Sequence, residues 1–167
     1  MTKRKTQKQT PPTTTLVVDV QQYVHESHRS SEQYGSWSEE RSAEVISVML
    51  GDETTMYGER ITIPGTVKNG DLVYVLFMTY SSGDSYGSSS GNYEVFWVFT
   101  DKNLAMAALE VVKKANDYRN QDKDDTLTFK LEDGTEQSVG NPAAGYFENM
   151  EDVYLDMKLV GADGKIR

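Results

Sequence analysis

The sequence contains no cysteine, which excludes disulfide bonds, thiol catalysis and zinc sites with cysteine ligands. The absence fits a reducing compartment, and we expect a cytoplasmic location. There is also no run of about 18 consecutive apolar residues, so no membrane-spanning helix is expected. Polar residues follow the basic N-terminus where a secretory signal has an apolar segment, so we expect no such signal.

Residues typical of catalytic and metal-binding motifs are scarce. The two histidines, His25 and His28, have a spacing that would place both on one side of a helix, as a metal site requires. However, they follow a predicted strand and enter a predicted polar loop through Gly35, and no third ligand is suggested by spacing. We therefore expect no metal and no cofactor. The sequence leaves enzyme activity open and favours its absence.

The charge is distributed unevenly along the chain. Residues 1–15 contain four basic side chains and no acid, so the remaining residues carry 13 basic and 26 acidic side chains, a net charge of −13. The first segment lacks the apolar side chains whose burial would offset the conformational entropy lost on ordering. We therefore expect a disordered basic arm. The favoured interpretation of this arm is a solubilising tail, and contact with nucleic acid or an acidic surface is the alternative. The acidic body repels phosphate, so no nucleic acid is expected there. Residues 16–167 should form one α+β domain.

Two apolar runs predict the centre of the fold. Alternation in residues 72–78 places apolar side chains on both faces of a strand, which indicates a central strand covered on both sides. One face carries Leu72, Tyr74, Leu76 and Met78, and the other carries Val73, Val75 and Phe77. The second run should also form a strand with two apolar faces. One face carries Tyr93, Val95, Trp97 and Phe99, and the other carries Phe96 and Val98.

The stretch at about 101–116 has the clearest helical pattern in the sequence. Thr100 or Asp101 can cap its start, and Asn116 can end it in a left-handed conformation. The predicted buried stripe consists of Leu104, Ala108, Val111, Val112 and Ala115. Packing this stripe on the sheet would cover one face of the central strands.

Shorter patterns complete a mainly antiparallel sheet with one principal helix, an α+β fold. Strands are expected at 16–24, 59–63 and 152–160, and a hairpin is expected over 126–139. The last strand should point Val153, Leu155, Met157 and Leu159 inward. Residues 38–50 are ambiguous: Ser36 and Glu39 have capping-box spacing, whereas the β-branched residues favour a strand at 42–50.

A Ser/Gly-rich segment at 81–91 separates the two central runs and predicts a long loop. Its glycines permit positive φ, and its serine hydroxyls can form hydrogen bonds with nearby backbone groups. The segment is interpreted either as a loop that binds a ligand or partner, or as a plain connector. The candidate binding residues are Tyr80, Gly83, Asp84, Ser85, Tyr86, Gly87 and Tyr93. Successive backbone N–H groups in such a loop can hold an anion, although no Lys or Arg supports this and Asp84 opposes it.

The motif Tyr80-Ser81-Ser82-Gly83-Asp84-Ser85-Tyr86-Gly87 resembles a loop of small, uncharacterised bacteriophage proteins. The resemblance covers about the middle half of the chain and implies an α+β domain of viral origin located in the host cytoplasm. It implies no established activity. We expect a non-enzymatic binding protein that engages a host or viral protein through this loop and the acidic body. The alternative is a domain that binds a small anionic, nucleotide-like ligand, with or without hydrolysis.

Overall fold

The structure, a computed structural model, describes residues 9–31, 34–51, 58–84, 87–145 and 148–161. For residues 23–31, 34–42, 84 and 87–88 it describes the backbone alone. The elements are β1 (Thr13–Ser31), β2 (Tyr34–Leu50), β3 (Gly58–Pro64), β4 (Leu72–Asp84), β5 (Gly87–Phe99), α1 (Lys102–Ala115), β6 (Thr126–Lys130), β7 (Glu136–Gly140) and β8 (Asn149–Gly161). The described part is therefore mostly β-sheet with a single helix, which confirms the α+β class.

Six strands form one mixed sheet in the order β3-β1-β2-β8-β4-β5, and β6 pairs with β7 alone. The pairing of β2 with β8 is parallel and joins Val48 to Val160 and Met49 to Gly161. The other described pairings are antiparallel. The expectation of a mainly antiparallel sheet is confirmed only in part, because the sheet includes this parallel pairing and curls until it is nearly closed.

Two apolar cores lie on opposite faces of β4. The inner core is enclosed by the curled sheet and includes Val73, Val75 and Phe77 of β4. The outer core lies between the other face of this strand and the layer made by α1 and the β6–β7 hairpin, and it includes Leu76 and Met78. The prediction of a central strand covered on both faces is confirmed for these five residues.

The alternation predicted for β5 was wrong beyond Phe96. Phe77 pairs with Val95 and Leu76 pairs with Trp97, so Phe96 is an extra residue in the ladder. Such a bulge reverses the facing of every residue that follows it. Val98 consequently joins Val95 in the inner core, and Phe99 joins Phe96 in the outer core. Alternation alone cannot reveal an inserted residue, because both faces of this strand are apolar.

The predicted helix is confirmed, with small shifts in its details. The Asp101 side chain caps it and accepts hydrogen bonds from the backbone N–H groups of Asn103 (2.8 Å) and Leu104 (3.0 Å). The buried stripe consists of Ala105, Ala108, Leu109 and Val112, whereas Val111 is exposed. Asn116 ends the helix with a φ of −105°, so the expected left-handed conformation was wrong.

The connection between β1 and β2 was predicted as a polar loop, but its described residues are paired strand. The polar loop expected through Gly35 is replaced by extensions of β1 and β2, which pair as far as Ser31 and Tyr34. The backbone of His25 and His28 lies within β1, while their side chains are outside the described residues. At the other end β1 begins at Thr13, within the predicted basic arm, and residues 1–8 of that arm are outside the described residues.

A buried pair of amides joins the end of α1 to the β6–β7 hairpin. Asn141 donates from its Nδ2 to Asn116 Oδ1 at 3.1 Å and to the carbonyl of Asp124 at 2.9 Å. Its Oδ1 accepts from the backbone N–H of Ala143. Asn116 in turn donates to the carbonyl of Val112 in the last turn of the helix. These bonds fix the hairpin against the helix that it helps to cover.

Replacing Asn141 by Ala should lower the free energy of unfolding by about 1–3 kcal/mol, because the buried oxygen of Asn116 and the Asp124 carbonyl lose their donor. Urea denaturation measures this change. Asn120→Ala is the matched control, since this exposed amide donates to the carbonyl of Lys114 and its loss should cost about 0.5 kcal/mol or less. Equal effects from the two substitutions would contradict the importance of burial.

Candidate functional site

The Ser/Gly-rich segment at 81–91 is a two-stranded ribbon, so the predicted long loop was wrong. Ser82 pairs with Ser89, Gly83 with Ser88, and Asp84 with Gly87. The turn residues Ser85 and Tyr86 lie outside the described residues. In an antiparallel ladder successive N–H groups point in opposite directions, so the backbone of Gly83 and Gly87 does not form the concave arrangement that an anion requires.

Gly91 marks the place where this ribbon meets the rest of the sheet. It has a φ of +68°, which favours glycine. Its N–H donates to the carboxylate of Glu151 on β8 (2.9 Å), and its carbonyl accepts from the amide of Gln22 on β1 (2.9 Å). Two side chains from different strands thus hold the base of the ribbon, and this local arrangement could not be predicted from the segment itself.

Tyr80 and Tyr93, two of the three predicted tyrosines, do not converge on one site. Tyr80 packs against the outer core, whereas Tyr93 packs against the inner core on the opposite face of the sheet. The two residues therefore bracket the ribbon in sequence but contact different layers. Of the predicted site residues, the backbones of Gly83, Asp84 and Gly87 are brought together at the end of the ribbon.

On its own side of the sheet, Tyr80 lies near a polar cleft. Burial, followed by the negative charges of Glu94 and Glu148, raises the pKa of its hydroxyl above the ordinary value. Glu148 also accepts a hydrogen bond from the Ser82 hydroxyl at 3.4 Å. It lines a cleft of about 530 Å³ together with the strongly exposed Tyr118 and other polar residues of the segment after α1. This cleft is open and polar and contacts none of the predicted glycines.

On the other side, Tyr93 lies near carboxylates from three strands. Burial raises the pKa of its hydroxyl, and three negative charges add to the effect: Glu59, Asp19 and Glu94. The pKa of Glu94 is also raised, first by partial burial and then by repulsion from Glu59. Within the described ranges, no group of three or more His, Asp or Glu side chains has an arrangement that could hold a metal ion.

The described residues include an exposed apolar surface that the sequence did not indicate. We define it by Leu72, Met157 and Leu159, whose side chains are 48%, 57% and 63% exposed. Leu72 lies directly opposite Leu159 in the ladder, and Met157 lies opposite Tyr74 two residues further along. The three side chains share one face of neighbouring strands and form a contiguous apolar surface.

The apolar surface is the uncovered end of the face that carries the outer core. Farther along the same two strands, Leu76 and Val153 are buried beneath the helical layer. The prediction that Met157 and Leu159 point to the interior was therefore wrong. The alternation correctly places all four residues that were predicted to point inward from β8 on one face. It does not show how far the covering layer extends along that face, and this extent decides which of the four are buried.

An acidic cleft adjoins the apolar surface at Leu72. This cleft has a volume of about 390 Å³, and its lining includes Asp71 and Glu132 but no basic residue. Oε1 of Glu132 accepts hydrogen bonds from the backbone N–H of Thr100 (2.6 Å), its hydroxyl (3.1 Å) and the N–H of Asp101 (3.2 Å). Oε2 of the same carboxylate is buried and has no hydrogen-bond partner.

No protein-family model, curated protein or solved structure matches this chain. Within the residues that the structure describes, no helix is long and apolar enough to cross a membrane. The surfaces described above are therefore interpreted from their own geometry and chemistry.

Replacing Glu94 by Gln should raise the free energy of unfolding slightly at neutral pH, by about 0.5 kcal/mol or less after solvent screening. The raised pKa means that the folded state disfavours the ionised carboxylate, so the wild type loses stability as the pH rises through that pKa. Below the ordinary value of 4.5 the carboxyl is protonated in both states, and the difference between variant and wild type should vanish.

Thermal denaturation over a pH series measures this dependence. Glu136→Gln is the matched control, because it removes the same charge from an exposed position on β7 that lies opposite Lys130 in the ladder, so it should not stabilise the protein. A destabilised Glu94→Gln variant at neutral pH would contradict the predicted sign.

Proposed function

We propose that this chain is a non-enzymatic binding protein that engages another protein through its apolar surface. The observation that supports this most directly is the contiguous exposure of Leu72, Met157 and Leu159 on a regular sheet face. Exposed apolar residues are common singly, whereas contiguous ones are typical of interaction surfaces. Aliphatic and thioether side chains provide contact area but no acid, base or nucleophile, so they favour binding over catalysis. Methionine also adapts its shape to different partners.

The expected partner is a host or viral protein with a basic surface. The chain carries a net charge of −9, and this charge favours approach of a positively charged partner over an acidic one. The resemblance of residues 80–87 to bacteriophage proteins supports a viral origin. In this proposal the ribbon at 81–91 is a secondary contact, and the apolar surface supplies most of the binding free energy.

Met157→Lys should abolish or strongly reduce capture of a specific protein from bacterial lysate, because it places a charge within the apolar surface. The measurement compares the proteins recovered by tagged wild type and variant, followed by titration of any recovered protein in purified form. We expect affinity to fall at least about tenfold, the loss that follows from about 1.4 kcal/mol of buried apolar contact.

Met106→Lys is the matched control, since Met106 is 43% exposed on α1, away from the apolar surface. It introduces the same charge in place of the same residue and should leave capture unchanged. Both variants should keep the wild-type circular dichroism spectrum and a similar melting temperature. Equal capture by Met157→Lys and Met106→Lys would contradict the proposal.

A further inference from the structure

We infer that the partner segment bound at the apolar surface carries an Arg or Lys beside its apolar side chains, and that this cation enters the acidic cleft at Glu132. This inference rests on the proposed function and specifies the chemistry of the partner. The apolar surface alone would accept any apolar segment. The adjoining cleft adds a requirement for positive charge.

Leu72 connects the two features. Its side chain belongs to the apolar surface and also lines the acidic cleft. A segment lying along β8 with apolar side chains on Met157 and Leu159 would therefore reach the cleft within a few residues. Extended segments place alternate side chains about 7 Å apart, which matches the spacing of the sheet positions they would cover.

Glu132 has the bonding capacity for such a cation. Three donors converge on its Oε1, and Oε2 is buried without a partner. A buried acceptor without a donor is unfavourable, and a turn of the Glu132 side chain toward the cleft that it lines would present this oxygen to guanidinium or ammonium N–H groups. Asp71 adds a second negative charge to the same cleft, although its Oδ2 already accepts from the backbone N–H of Lys68.

Charge also distinguishes this partner from a second copy of the chain. Two copies would bring together two clefts that are each lined by Asp71 and Glu132 without a basic residue. Their overall charges of −9 would repel each other as well. A basic and apolar segment satisfies both features of the surface, whereas a second copy satisfies only the apolar one.

The test selects binders from a library of short random peptides displayed on yeast, with the full chain as bait. Parallel selections use Glu132→Gln, which keeps the size of the side chain and an oxygen for Thr100, and Glu136→Gln as the matched control on β7. Asp71→Asn provides a second cleft variant. We expect wild type and Glu136→Gln to enrich peptides that combine apolar residues with Arg or Lys. The affinity of these peptides for Glu132→Gln should be lower by roughly 10- to 100-fold.

The outcomes separate this inference from the proposed function. Peptides that depend on Met157 but show no preference for Arg or Lys would overturn the inference and leave the binding function intact. Failure to enrich any peptide that is lost in the Met157→Lys variant would overturn both. Concentration-dependent dimers in analytical ultracentrifugation that disappear in Met157→Lys would identify a second copy as the occupant, which also overturns the inference.

Discussion

The requirement to cover both faces of β4 determines the rest of this fold. Its side chains are apolar on each face, so both faces of this one strand must be shielded from water. The curled sheet covers one face by folding back on itself. The other face requires a separate layer, which α1 and the β6–β7 hairpin provide, and the buried amides of Asn116 and Asn141 hold the two parts of that layer together.

The covering layer is shorter than the sheet face that it covers. Leu76 and Val153 lie beneath the layer, whereas the end of the face beyond it carries the exposed Leu72, Met157 and Leu159. The proposed function rests on this uncovered end, where apolar side chains lie on a regular sheet face within reach of a partner.

Much of the fold could be predicted because its elements have strong local signals. The helix has a cap at Asp101 and a clear apolar period, and β4 has two complete apolar faces. The errors occurred where local signals agree with more than one arrangement. Serines and glycines at 81–91 are common in loops, yet pairing with a neighbouring strand extended them into a ribbon. In β5, an inserted Phe96 changed the faces without altering the apolar composition. Tyr80 and Tyr93 bracket the same segment of the sequence, but the sheet separates them onto opposite faces.

The sequence by itself determined the α+β class, the central strand with two buried faces, the helix and the excess of negative charge. These properties depend on composition and on periods of two or 3.6 residues, which neighbouring residues define. Only the tertiary structure decided which apolar residues remain exposed and which charged groups lie beside them. Met157 and Leu155 follow the same pattern in β8, but one is exposed and the other is packed against the outer core. The physical reason is that exposure depends on where a distant helix ends, and no local pattern contains that information.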